Sequence, residues 1–359
     1  MPVNTDFVVF GGGPAGSATA IGLARGGAKV LLFERNRSPA FKPGEIIEPS
    51  VQHPLRELGL WAEFLALGSL RSAGTLSAWG GAEPIDASSI RNPWGGSFLV
   101  DRNHLELCLV NAAIRHGVRV VQAPDSFEFH VYNGRRCLSW SINGHEEQVI
   151  PAVFVEATGR GRGVAASTSR KRFDDLVALL LYSPNPAHMR HDTRLYIEAA
   201  PEGWWYSAPL PGNIAVSAFL TDTSILPRGR PHRDSFFFSR LKKTSFTRLR
   251  YSEGAVCTAI KVAPANSSVR TELSGSDWIS VGDAATTYDP LAGLGVVAAM
   301  SKGAAIARLL LQEPISVAAE TYVESERESF RKYLVMRSRI YAREHRWRKY
   351  PFWQARCEL

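Results

Sequence analysis

The sequence predicts an α/β fold, a Rossmann-like parallel-sheet domain interleaved with an antiparallel β-sheet domain. Three observations carry this. Phe7-Val8-Val9-Phe10 is a short apolar strand followed at once by a glycine turn, an Ala-rich helix and a second apolar strand. Two apolar strands far downstream, Val153-Phe154-Val155 and Trp278-Ile279-Ser280-Val281, each run into a glycine turn, as members of the same parallel sheet would. Between them lie the strand-like segments Thr193–Ile197, Trp204–Ala208, Ile214–Leu220 and Ala255–Val262. Residues near 1–75, 100–170 and 275–359 are therefore assigned to the first domain, and those near 76–99 and 171–274 to the second. Pro184-Asn185-Pro186 and the stretch from Pro227 to Pro231 read as loops, and no internal repeat is visible.

The opening elements justify themselves in order. After the first strand, Gly11 permits a tight turn and Gly13 lets backbone amides approach a pyrophosphate. Pro14 and Ala15 belong to the turn as candidate cofactor-binding residues, Gly16 lets helix and strand pack closely, and the Ala-rich helix is expected over Ser17 to Arg25. Gly26-Gly27 stops the helix, and the second strand ends in Glu34-Arg35, an acid ~20 residues beyond the turn. Glu34 is placed to accept hydrogen bonds from ribose hydroxyls and would repel a 2′-phosphate, so NADP is disfavoured there.

Composition narrows the class. The chain has 359 residues, 45% hydrophobic and 21% charged, which suits a packed globular protein. No apolar run is expected to approach the ~18 residues of a membrane span, and Met1–Asp6 leaves no room for a signal peptide. Four scattered cysteines without a CxxC pair argue against zinc or a disulfide framework and fit a reducing cytoplasm. The net charge of +8 is partly local, in the arginine-rich segment from Arg331 to Lys349. No nucleic-acid motif accompanies it, so that segment is expected to be a helix with its arginines on one face and its aromatics packed inward.

Further residues extend the pattern. Val155 is followed by Glu156-Ala157-Thr158-Gly159, and Val281 by Gly282-Asp283; beyond them Pro290, Gly293, Leu294 and Gly295 open an apolar helix from Val296 to Leu311. With Arg102 opening another helix, this layout resembles the para-hydroxybenzoate hydroxylase-like FAD-dependent flavoproteins. The resemblance implies non-covalent FAD, with its adenosine end at Gly11–Gly16 and Glu34, its ribityl chain on Asp283 and contacts at Arg102. It also implies that amides at Gly293–Gly295 face the flavin, where a helix N-terminus favours negative charge. Ala157-Thr158-Gly159 replaces the Asp-Gly pair of NAD(P)H-using hydroxylases, which argues for an external reductant.

Lys42-Pro43-Gly44-Glu45 resembles the Gly-Glu turn of tryptophan-halogenase-like and geranylgeranyl-reductase-like flavoproteins, and the Trp204-Trp205-Tyr206 box is halogenase-like but degenerate. No lysine occurs from Gly44 to Arg170, so the resemblance lacks the reactive amine of a halogenase. Leu76–Gly80, Trp94-Gly95-Gly96, Asp289-Pro290-Leu291 and the tail from Tyr341 to Trp353 complete a similarity to LodB- and GoxB-type flavoproteins, which mature tryptophylquinone cofactors. That implies hydroxylation of a tryptophan in a partner, the precursor of a quinone-cofactor amino-acid oxidase. A monooxygenase of small aromatic metabolites and a non-catalytic flavoprotein scaffold remain as alternatives. Glu45 is the candidate to position flavin or relay a proton, and His53 a candidate proton shuttle. Glu48, Trp79, Trp205 and Tyr206 are candidates for the substrate pocket. The competing readings are a turn-capping acid for Glu45, a surface position for His53, and a place in the sheet core for Trp79, Trp205 and Tyr206.

Overall fold

The computed structural model describes residues 3–36, 42–161, 163–164, 168–255 and 257–357. Its helices are α1 (Pro14–Arg25), α2 (Gln52–Glu57), α3 (Trp61–Leu65), α4 (Arg102–Arg115), α5 (Arg230–Leu241), α6 (Gly295–Gln312), α7 (Ile315–Ala342) and α8 (Pro351–Cys357).

A five-stranded parallel sheet runs in the order Trp278–Ser280, Val153–Glu156, Phe7–Phe10, Val30–Glu34, Arg119–Gln122. Phe10 is in register with Glu156 and with Phe33, so Gly11, Glu34 and Ala157 emerge together at the carboxyl edge. Strands buried on both faces need continuous apolar sequence, which these have. One face packs on α1, α4 and α6 through Ile21, Leu105 and Met300. The other stacks Phe10, Phe33 and Phe154 against Trp140 of a three-stranded antiparallel sheet, Ser126–Tyr132, Arg135–Ile142 and His145–Val149.

A second, seven-stranded sheet runs in the order Lys261–Pro264, Leu176–Pro184, Ile214–Asp222, Gly203–Leu210, Leu195–Ala200, Gly74–Ala78, Ile85–Ser88. It is mixed, because Leu195–Ala200 runs parallel to Gly74–Ala78, where an all-antiparallel sheet was expected. More than a hundred residues separate those two strands, including Ile85–Ser88 and Leu176–Pro184 of the same sheet, which removes the hairpin constraint. The expected strand Ala255–Val262 is displaced to Lys261–Pro264, and Val256 lies outside the described residues. Leu180, Trp204 and Ala208 face α7 and α8, whereas Leu179, Trp205 and Phe219 face α5.

Two expectations are corrected. Among the described residues α6 is long and apolar enough to cross a membrane, although Lys302 and Arg308 interrupt its apolar runs. It buries Met300, Ala304 and Ala307 in the core and exposes Ser301, Arg308 and Gln312. The arginine-rich segment is a helix only to Ala342, and its cations do not all line a face. Arg337 is buried against Asp174, while Arg331 and Lys332 pair with Glu328.

Candidate active site

The glycine turn sits where three strands end. Gly11 has φ +105°, and a Cβ there would come 2.4 Å from the Ala157 carbonyl oxygen, so only glycine fits. Pro14 occupies the first turn of α1, and no side chain caps this helix. Its amides thus open onto the space beside Gly13, where a Cβ would meet nothing within 4 Å. Glu34 closes one side: its carboxylate accepts hydrogen bonds from the Gly12 amide at 2.8 Å and the Asn36 amide at 3.1 Å. Arg35 is exposed, Ala157 is buried beneath the turn, and Gly159 follows in a left-handed conformation. Asp283 lies beside them, its carboxylate 3.3 Å from Arg160 Nε.

A second group gathers where α6 begins. Asp289 caps the turn Pro290–Ala292 by accepting from the Leu291 amide at 2.9 Å, and Gly293 then turns the chain into Leu294 and Gly295. Glu48 lies against Gly293, 3.3 Å from where its Cβ would be, and accepts from Ser97 Oγ at 3.2 Å. Burial pushes the Glu48 carboxyl above its usual range.

Gly44 adjoins these groups: a Cβ added there would come about 4 Å from both Arg102 and Val296. Arg102 is buried, donates through Nη2 to Glu106 at 2.8 Å, and leaves Nε and Nη1 buried without a partner among the described residues. A guanidinium with two orphaned donors calls for an acceptor from outside the chain. Glu45 is buried, with Oε2 accepting from the Gly44 amide at 2.9 Å and Oε1 accepting from the Tyr182 hydroxyl. Burial raises its pKa, opposed by those hydrogen bonds and by the Arg102 charge. Tyr206 also faces this carboxyl, and burial then the Glu45 charge push its phenol well up.

The remaining expected site residues are placed differently. Trp205 is fully buried against Phe219 and Phe237 on the face toward α5, because strand alternation turns it away from Trp204 and Tyr206. Trp79 donates to the Ile340 carbonyl at 2.9 Å and packs on Trp204, Tyr341 and Trp353, a wall of the C-terminal helices. Trp205 is thus enclosed in the core, whereas Trp79 is half-buried at its margin. His53 is exposed on α2, edge-on to Trp94 at 4.9 Å. Tyr182 and Ser97 are the residues that sequence reasoning missed. Tyr182 lies within an apolar strand and Ser97 just before one, and nothing local marked either as a partner of a glutamate.

Residues 4–160 match the FAD binding domain family. The chain is an FAD-dependent oxidoreductase with a hydroxylase- and halogenase-like fold. It is 29% identical to LodB of Marinomonas mediterranea, over 98% of this chain and 96% of that one. Its fold is that of the myxobacterial chondrochloren halogenase CndH, with TM-score 0.86 at 23% identity over 98% of this chain and 85% of that one. It is also that of QhpG, a peptidyl tryptophan dihydroxylase essential for tryptophylquinone cofactor biogenesis, with TM-score 0.79 at 23% identity over 99% and 79%. The flavoprotein's own residues fit the cofactor: the uncapped α1 and the open Gly13 suit a pyrophosphate, and Arg102 carries unmatched donors.

Proposed function

We propose that this flavoprotein oxygenates a tryptophan side chain within a partner protein, the precursor of a quinone-cofactor amino-acid oxidase, and is not a halogenase. The observation that carries the reading is the end-to-end relation to LodB, which spans nearly the full length of both chains. The absence of lysine from Gly44 to Arg170 supports it against halogenation.

Bound FAD would supply the redox chemistry, accepting electrons from an external donor and activating O₂. The α1 N-terminus and Glu34 would hold its adenosine diphosphate end, Asp283 its ribityl hydroxyls, and Arg102 an acceptor near Gly44. Glu45 would hold or pass a proton at Oε1 through the Tyr182 hydroxyl, with Tyr206 walling the same space. Desolvation keeps that carboxyl's affinity for a proton high.

Asp283→Ala should weaken FAD binding by ~1.5–3 kcal/mol, as a hydroxyl loses a charged acceptor. Fluorescence titration of the apoprotein measures this, and an unchanged affinity would mean the acid is wrongly assigned. For the substrate, reduced FAD-loaded protein is mixed aerobically with a candidate oxidase precursor, followed by intact-mass analysis. Oxygen added to a precursor tryptophan is the expected result. Turnover of free tryptophan with an unmodified precursor would replace this reading with a small-molecule monooxygenase, and binding without any oxygen transfer would replace it with a scaffold.

A further inference from the structure

The edge of the seven-stranded sheet is left open beside the site. Ile85–Ser88 pairs on one side with Gly74–Ser77, and no strand pairs with its other side among the described residues. Alternate residues of such a strand turn N–H and C=O groups outward, and folded proteins ordinarily cover or charge edges of this kind. Here all four residues are exposed. Large apolar side chains cluster on and just after the strand, with Ile85 66%, Ile90 91% and Trp94 49% exposed. Three such groups on one short stretch form a patch of the sort that marks an interaction site.

The stretch leads directly into the candidate site. Trp94 meets His53, and Ser97 donates to Glu48, which lies against the Gly293 turn at the start of α6. The patch also carries a charge preference. Arg91 is exposed, and Arg71 lies over the Phe98 ring at 3.7 Å and donates to the Gly96 carbonyl at 2.8 Å. Neither guanidinium has a carboxylate partner among the described residues.

The geometry points to strand addition: an extended, acidic and apolar segment of a protein substrate pairs with Ile85–Ser88 and lays its side chains on Ile90 and Trp94. Main-chain hydrogen bonds would supply affinity, the apolar residues would set register, and Arg71 and Arg91 would select carboxylates. The edge then delivers a neighbouring tryptophan past Trp94 toward Glu48. This inference rests on the protein-substrate reading and names how the partner is held.

The probe is a fluorescein-labelled peptide of about twelve residues, alternating valine and threonine around one tryptophan flanked by two glutamates. Anisotropy is measured with the FAD-loaded full chain. Ile85→Asp/Ile90→Asp and Arg71→Gln/Arg91→Gln should each weaken binding by about tenfold or more, as should N-methylation of alternate peptide amides. FAD content reports that the variants remain folded. Failure of the wild type to bind, or of any one of these changes to weaken binding, overturns strand addition. Self-association that the Ile85→Asp/Ile90→Asp variant abolishes also overturns it, in favour of a second copy as occupant. Oxygen on the peptide tryptophan is scored separately by mass. Binding at the edge without oxygenation leaves strand addition standing and counts against the proposed reaction alone.

Discussion

Glu45 shows how one carboxyl group is set by its surroundings. It is buried between the Gly44 amide, the Tyr182 hydroxyl and Tyr206, with the Arg102 guanidinium nearby, and its pKa lies above the ordinary 4.5 because burial outweighs those stabilising contacts. The folded protein therefore holds this proton more tightly than the unfolded chain does. Stability from this group is lost as pH rises from 4.5 through the folded value. Glu45→Gln removes that loss. Its amide oxygen can take the Gly44 hydrogen bond, and its NH₂ can donate to a reversed Tyr182 hydroxyl. The variant should gain stability relative to the wild type as pH rises from about 4 to about 7, measured as urea midpoints across that range. A difference that is flat with pH would show that Glu45 is not the group that burial perturbs.

At the scale of elements, the contact of α1 with α6 builds the cradle. Gly303 of α6 approaches so closely that a Cβ would lie 2.4 Å from the Ala15 carbonyl oxygen and 2.9 Å from Ala18 Cβ. Both atoms belong to a helix whose N-terminus faces the pyrophosphate site, so neither can give way alone. Gly303→Ala should destabilise the fold by ~1–3 kcal/mol and weaken FAD binding with it. Ser301→Ala, on the exposed face of the same helix, should stay within ~0.5 kcal/mol. Chemical denaturation and FAD titration of the pair check this. The parallel strands and the glycine turn were legible because backbone chemistry dictates their residues locally. The sheet from Ser126 to Val149 was overlooked, although Asn133-Gly134 and Asn143-Gly144 both adopt the positive φ of tight hairpin turns. The site was less legible than the fold. Tyr182 meets Glu45 across 137 positions of sequence, and it sits in an apolar run that local reading assigns wholly to core. Trp205 was misplaced for the opposite reason, since adjacent aromatics in a strand look alike until alternation assigns each a face.

Across the whole molecule, α7 ties the flavin domain to the large sheet through one buried polar chain. Tyr341 accepts from Trp204 Nε1 of the sheet at 2.9 Å and donates to Asp289 at 2.7 Å. Tyr333 accepts from the Asp289 amide at 2.7 Å and meets Ser267 Oγ at 2.7 Å, where Arg337 joins from the same helix. The turn that opens α6 is therefore held by two residues from elsewhere in the chain, and the sheet is fastened at the same point. Tyr341→Phe keeps the packing but leaves the Trp204 N–H without its acceptor and Asp289 Oδ2 without the Tyr341 donor. Each buried group so deprived costs about 1–3 kcal/mol. Asp289 is already raised above its usual range by burial, and the Tyr341 hydrogen bond works against that rise. Losing it raises the folded pKa further, so the variant's deficit should grow as pH rises through the carboxylate range, from about pH 4 toward pH 7. Because Asp289 caps the turn beside the FAD cradle, the gain in melting temperature on adding FAD should also shrink at fixed ligand concentration. Thermal denaturation with and without FAD at both pH values tests the two effects together. A deficit independent of pH, with the full FAD-induced rise retained, would mean that α7 braces the sheet without holding the flavin turn.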